Sequence, residues 1–207
     1  MAVRDPAPVV PLRPLAPAHP QAELDDEALM LLAAAGRRDA FAALARRHLP
    51  ALARFCAKLV ADGPLGEEVA QDALLDVWAG RQRYRRGNVR VHLLTVARHR
   101  CLNQLRDARR HARWVEPAAD PEPAGGASAA GPDPLEALLE AERTRGVLRA
   151  LAVLPPKLRE AVLLRYDQGL EYPEIAHVVG RGESTVRSRV MLGLRRLRAA
   201  LGEEGEP

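Results

Sequence analysis

The chain has 207 residues, 47% of them apolar and 28% charged, with a formal net charge of +4 at pH 7, enough for one large or two small domains. No run approaches the roughly 18 consecutive apolar residues of a membrane span, and the N-terminus lacks the basic start, apolar stretch and small-residue cleavage site of a secretory signal. A cytoplasmic protein is therefore expected, with Cys56 and Cys101 as reduced thiols.

The charge favours an anionic partner only weakly. All but two of the 31 basic residues, Lys58 and Lys157, are arginine. A GC-rich genome produces that bias by itself, so the position of the arginines says more than their number.

In chain order, residues 1–23 form a leader with Pro6, Pro8, Pro11, Pro14, Pro17 and Pro20 and no helical periodicity, an extended or disordered segment. A first module covers 24–115. Phe41, Leu44, Leu52, Phe55 and Leu59 recur at helical spacing, and Pro50 is expected to kink or divide that helix. The next helix, "LGEEVAQDALLDVWAG", turns Val69, Ala73, Leu74 and Val77 inward and Glu67, Glu68, Asp72 and Asp76 outward. After the loop "RQRYRRGN" a third long helix is expected over roughly Val91 to His111. Residues 116–134, rich in Pro, Gly, Ala and Ser, are a flexible linker too long for a compact turn. A second module, 135–201, has one helix before Pro155-Pro156, another from about Lys157 to Gln168 stopped by Gly169, then two short ones. Residues 202–207 are a tail. No segment alternates with period two over a useful length, so the fold class is all-α.

Three clusters carry chemistry. In the first, "YPEIAHVVG" packs Ile175, Ala176 and Val179 inward and stops at Gly180. A short turn then leads into a helix with Val186, Val190, Leu194 and Leu197 on one face and Arg187, Arg189, Arg195, Arg196 and Arg198 on the others. Helix, tight turn, helix is the pattern whose second helix enters a DNA major groove. Ser184, Thr185, Arg187, Ser188 and Arg189 lie near its N-terminus, where side chains reach base edges. The plainer alternative is a solvated outer face of a bundle helix.

The second cluster, between Arg81 and Arg113, holds eleven arginines and one acid, Asp107. Genome composition does not explain the exclusion of acids. Tyr84 and Asn88 sit among Arg81, Arg83, Arg85, Arg86 and Arg90, a composition suited to capturing unstacked, single-stranded bases. Arg98, Arg106, Arg109 and Arg110 would follow phosphates along the helix. Tyr84 has two readings, a base contact or an amphipathic packing residue. The third cluster is the acidic stripe Glu67, Glu68, Asp72 and Asp76 with Gln71, which DNA would repel and which must face solvent or a protein.

"GEEVAQDALLDVW" followed by "VRVHLLTVARHRCLNQLR" resembles the second region of bacterial sigma factors, and "LPPKLREAVLLRYDQGLEYPEIAHVVGRGESTVRSRV" resembles their fourth region. The resemblance covers about residues 26–114 and 135–201. Two modules and a linker match the compact extracytoplasmic-function (ECF) class, which lacks the regions between them. The resemblance implies an alternative sigma factor that directs core RNA polymerase to a promoter subset. Glu67, Glu68, Gln71, Asp72 and Asp76 would dock on the clamp helices of the largest polymerase subunit, and the polymerase flap would be a further contact of the protein. Arg81, Tyr84, Arg86, Asn88, Arg90, His92, Arg98, Asn103 and Arg106 would bind and open the minus-ten element as single strand. Arg181, Ser184, Thr185, Arg187, Ser188 and Arg189 would read the minus-thirty-five duplex. An anti-sigma factor is expected as a partner by the same resemblance.

The sequence departs from the family pattern in places. His92 stands where Trp is usual and His99 where Asn is usual. Arg181 replaces an apolar residue and is expected to project outward, since burial unpaired would be costly. Gly182 replaces a capping Ser or Thr, a change worth a few tenths of a kcal/mol. Met191 and Leu192 make the last helix more apolar than is typical and are candidates for covering a protein surface. These departures keep a second reading open, a degenerate sigma-like regulator that binds polymerase or a partner without initiating. A third reading, a helix-turn-helix repressor, leaves the acidic stripe and the loop cluster without a use. Cys56, Cys101 and six histidines show no metal-ligand spacing, so no metal or cofactor is expected. No phosphate loop or nucleophile elbow occurs, and no catalytic residue is assigned.

Overall fold

The structure is a computed structural model that describes residues 24–111 and 146–202. The proline-rich leader, the linker 116–134 and most of the tail lie outside the described residues. Among the described residues every regular element is helical, as the absence of period-two patterning implies.

The first half is a four-helix unit. Helix α1 (Asp26–Ala34) is capped by the Asp25 carboxylate, which accepts from the Ala28 amide at 2.7 Å. Helix α2 (Arg38–Val60) runs through Pro50 as one element, so the expected division does not occur. Pro50 and Arg46 both lie on the exposed side, where a carbonyl left without its amide partner is solvated. The chain leaves α2 through Ala61 at φ 64°, and Asp62 then caps α3 (Gly63–Ala79) by accepting from the Leu65 amide at 2.9 Å. A Cβ on Gly66 would stand 2.3 Å from the Ala57 backbone; the missing side chain is what lets α2 and α3 touch. A 3-10 turn (Arg81–Arg83) leads to α4 (Val89–His111), whose start is capped by Asn88 Oδ1 accepting from the Val91 amide at 3.2 Å. Leu29, Met30, Leu44, Phe55, Leu59, Val69, Leu93 and Leu94 are all but fully buried at its centre.

The second half begins with helical residues 146–153 (α5). Helix α6 (Pro156–Val162) continues into one π-helical turn (Leu163–Asp167), and Gly169 at φ +63° ends the run. Helix α7 (Tyr172–Val179) stops at Gly180 in the left-handed region, φ 64°. It buries Val178 with Ile175 and Val179, whereas Ala176, expected inside, is half-buried. Helix α8 (Glu183–Ala200) has 18 residues and is not short as expected, because its apolar stripe continues to Leu197. Gly193 faces α6 with its absent Cβ 2.6 Å from Val162 Cγ2.

The two halves do not sit apart. Their buried apolar residues form one continuous cluster, from Leu29 in α1 to Val190 in α8. Helix α7 packs on α4, and α6 with its π turn packs on α2.

Candidate nucleic-acid interface

The acidic stripe is where helical spacing puts it. Glu67, Glu68 and Gln71 are exposed on α3, and Asp72 and Asp76 border α4. Arg100 of α4 reaches across to both, at 3.0 Å to Asp72 Oδ2 and 2.5 Å to Asp76 Oδ2. The charge-assisted bond from Arg100 holds the Asp76 carboxyl below the usual carboxylate range, against a smaller opposing effect of burial. Between these acids Leu75 is 64% exposed, which gives the face an apolar centre inside a charged rim. Its phase, three and four positions from Asp72 and Gln71, marks it in the sequence as part of the acidic face.

The minus-ten set is divided. Arg86, Asn103 and Arg106 are exposed. Arg81 lies over the Trp78 ring at 4.0 Å and donates to the Trp78 carbonyl at 2.9 Å. Tyr84 packs against the core and donates its hydroxyl to the Gly87 carbonyl at 2.7 Å. Burial, with Glu27 adding to it, raises the Tyr84 phenol above its ordinary value. Its ring meets His92 edge-on at 5.5 Å. Burial first, and His177 of α7 second, hold His92 below the ordinary imidazole value. The remaining members point at the second half. Asn88 Nδ2 donates to Glu174 Oε1 at 2.8 Å, Arg90 donates to the Gln168 carbonyl, and Arg98 Nε donates to Glu160 Oε2 at 2.8 Å.

The minus-thirty-five set is largely free to meet a groove. Arg181, Ser184, Thr185, Arg187 and Ser188 are exposed at the turn and in the first turns of α8, and Gly182 occupies the N-cap without a side-chain cap. Arg187 rests over Tyr172 at 4.2 Å and near Glu183 at 3.7 Å, and Arg165 lies 5.2 Å from the same ring. Tyr172 thus forms a platform under two guanidiniums at the N-terminal end of α8, a placement no sequence pattern indicated. Arg189 turns inward, with Nη1 3.2 Å from Glu160 Oε1.

Glu160 is the residue that sequence reading missed altogether. It sits in an ordinary amphipathic stretch, yet it is fully buried and holds Arg98 and Arg189, side chains 11% and 16% exposed. Beside it Arg159, also buried, donates to the carbonyls of Leu59, Ala152 and Leu154. Burial and then the neighbouring Arg109 press its guanidinium below the ordinary value. Cys101 and Cys56 are buried against each other, and that contact, with burial, pushes the Cys101 thiol far up.

Known proteins carry the same two parts. Residues 44–111 match sigma-70 region 2, and residues 144–197 match sigma-70 region 4. The chain is 36% identical over 169 residues to the RNA polymerase sigma factor CarQ of Myxococcus xanthus, a match covering 81% of this chain and 92% of that one. It is 31% identical over 177 residues to the ECF sigma factor SigL of Mycobacterium tuberculosis, covering 84% and 95%. Its fold is similar to that of the sigma factor RpoE of Bartonella quintana, solved with the anti-sigma factor NepR. There the TM-score is 0.64 at 25% identity, over 78% of this chain and 96% of that one. It is equally similar to CnrH solved with the cytosolic domain of CnrY, with a TM-score of 0.63 at 25% identity, over 87% and 99%. The chain belongs to the sigma-70 family as an ECF sigma factor, a factor for promoter-specific transcription initiation. Sigma factors are non-enzymatic, and no described helix is long and apolar enough to cross a membrane.

Proposed function

We propose that three surfaces of this sigma factor divide its work. The α3 face of Glu67, Glu68, Gln71, Asp72 and Asp76, centred on Leu75, docks on the clamp helices of the largest subunit of core RNA polymerase. The first turns of α8, with Arg181, Ser184, Thr185, Arg187, Ser188 and Arg189, read the minus-thirty-five duplex beside the polymerase flap. The loop after α3 and helix α4, with Arg81, Tyr84, Arg86, Asn88, Arg90, His92, Arg98, Asn103 and Arg106, hold the opened minus-ten strand. The observation that carries this reading is the pair of exposed faces of opposite character: an acidic rim around an exposed leucine on α3, and hydroxyl and guanidinium groups at the N-terminus of α8. The first suits a protein partner, with an apolar centre and charged border; the second suits base edges and phosphates.

The relatives solved with anti-sigma proteins support an anti-sigma partner for this chain, and a cytoplasmic place of work follows from the polymerase. The test is transcription by cognate, sigma-free core polymerase on fragments of the source genome. Defined new start sites are expected with the protein, and their loss with Asp72→Arg, while Asp72→Arg leaves the protein folded. Stable polymerase binding without any start site would replace this reading with that of a non-initiating regulator.

A further inference from the structure

Helix α3 carries Glu67, Glu68, Asp72 and Asp76 and no basic residue, so a cation on its outer face must come from another element. Among the described residues, the cation that pairs with these acids is Arg100 of α4. Its Nε and Nη2 donate to the two oxygens of Asp76 at 2.5 and 2.6 Å, and its Nη1 donates to Asp72 Oδ2 at 3.0 Å. Asp76 is thus held by a bidentate fork, the strong form of this contact. Asp72 gives one oxygen and keeps Oδ1 without a partner among the described residues. All three side chains stay partly open to solvent, at 39% for Arg100, 43% for Asp72 and 44% for Asp76. Ion pairs so exposed add little to folding, and α3 and α4 already share the buried core. What Arg100 changes most is the charge that α3 presents.

We infer that Arg100 is a built-in competitor of the polymerase: it occupies Asp76 and half-occupies Asp72 in the free chain, and docking exchanges its guanidinium for a basic side chain of the partner. This rests on the assignment of the α3 face to polymerase. Asp72 is the point of first contact, since Oδ1 can accept while Arg100 is still in place. Asp76 is given up second. A partner arginine suits it better than a lysine, because a planar fork restores both bonds that Arg100 withdraws. The exchange replaces one ion pair on Asp76 by another, so its net gain is small. The apparent affinity is reduced by the fraction of chain in which the acids are free. Glu67, Glu68 and Leu75 make no bond to Arg100 and stay exposed, so the docking face has an open part and a guarded part. Arg100 thereby sets how tightly polymerase docks and which basic side chain meets Asp76.

The test titrates cognate, sigma-free core polymerase into the full-length chain, labelled at its N-terminal amine, and follows fluorescence anisotropy. Arg100→Gln is expected to tighten binding by about two- to fivefold at low salt. The gain should fade as salt approaches about 1 M, where charges are screened beyond roughly 3 Å. Arg100→Lys, which keeps the charge and loses the fork, should fall between Arg100→Gln and the parent. In a chain carrying Asp72→Asn and Asp76→Asn, Arg100→Gln should change nothing, because the competitor acts only through these carboxylates. A residue that merely props α3 on α4 would move affinity the other way, since its loss would loosen the face. Arg100→Met replaces Arg100→Gln if that variant does not fold. Weaker or unchanged binding for the Arg100 variant overturns the inference, as does a gain that persists in the doubly neutralised chain. Glu67→Lys, on the same face and without a bond to Arg100, checks the docking assignment separately and should weaken polymerase binding. No effect from either Glu67→Lys or Asp72→Arg would strike that assignment and the inference with it.

Discussion

The two halves set their polar and basic side chains beside the shared core in opposite ways. In the second half most of the side chains proposed to read duplex stand clear. Ser184, Thr185, Arg187 and Ser188 are exposed, and Tyr172 and Glu183 hold Arg187 in place from behind. In the first half several of the groups proposed for an opened strand are occupied: Asn88, Arg90 and Arg98 bond the second half and Arg81 bonds its own helix end, while Arg86, Asn103 and Arg106 stay exposed. A duplex presents its groove edges ready-made, so a rigid reader suffices. An opened strand must first be unstacked, at a cost of about a few kcal/mol. Both halves also rely on a glycine at a helix contact, but Gly66 meets backbone whereas Gly193 meets a side-chain methyl.

That last difference gives the largest expected effect. Gly66→Ala places a methyl 2.3 Å from the Ala57 backbone, which cannot rotate away, so a loss of about 3 kcal/mol is expected, at the upper end for overpacking. Gly193→Ala meets Val162 Cγ2 at 2.6 Å, a side-chain methyl that yields more easily than backbone although its β-branched χ1 is stiff in a helix, and a smaller loss of about 1–2 kcal/mol is expected. Thermal denaturation of both variants ranks them, and equal losses would break the contrast between the glycines.

Promoter binding by the holoenzyme sharpens the contrast between readers. Arg187→Ala should cost about 1–3 kcal/mol at particular bases. Arg106→Ala should weaken every sequence alike and lower the salt slope by about one. An equal loss over all promoter variants for Arg187→Ala would count against base reading. Smaller again is the platform: Tyr172→Leu should lose about 0.5–1 kcal/mol of the discrimination due to Arg187, and Tyr172→Phe should keep it, because the ring face supplies the attraction.

The smallest effect is a pH slope. His92 is held below the ordinary value of 6.5 by burial and by His177. As the pH falls below that value the unfolded chain takes up the proton first, so stability is kept above it and declines as the pH drops toward the folded value. His92→Gln should flatten the decline in denaturation measured across this range; an unchanged slope would show that His92 titrates alike in both states.

The sequence by itself determined the all-helical class, most of the inward faces and the exposed turn before α8, because these follow from periodicity, caps and stops within a few residues. Val69, Ala73, Leu74 and Val77 are buried where a 3.6-residue period puts them, and Gly169 and Gly180 end their helices through positive φ. Pro50 is expected to kink or divide its helix, and α2 runs through it undivided because its exposed face leaves the orphaned carbonyl to water. What only the tertiary structure decided is which charges meet. Arg100 finds Asp72 and Asp76 from 28 and 24 positions away, and Arg98 finds Glu160 from 62. Nothing local marks Glu160, the one acid of α6, as a buried group, because the arginines that hold it come from α4 and α8.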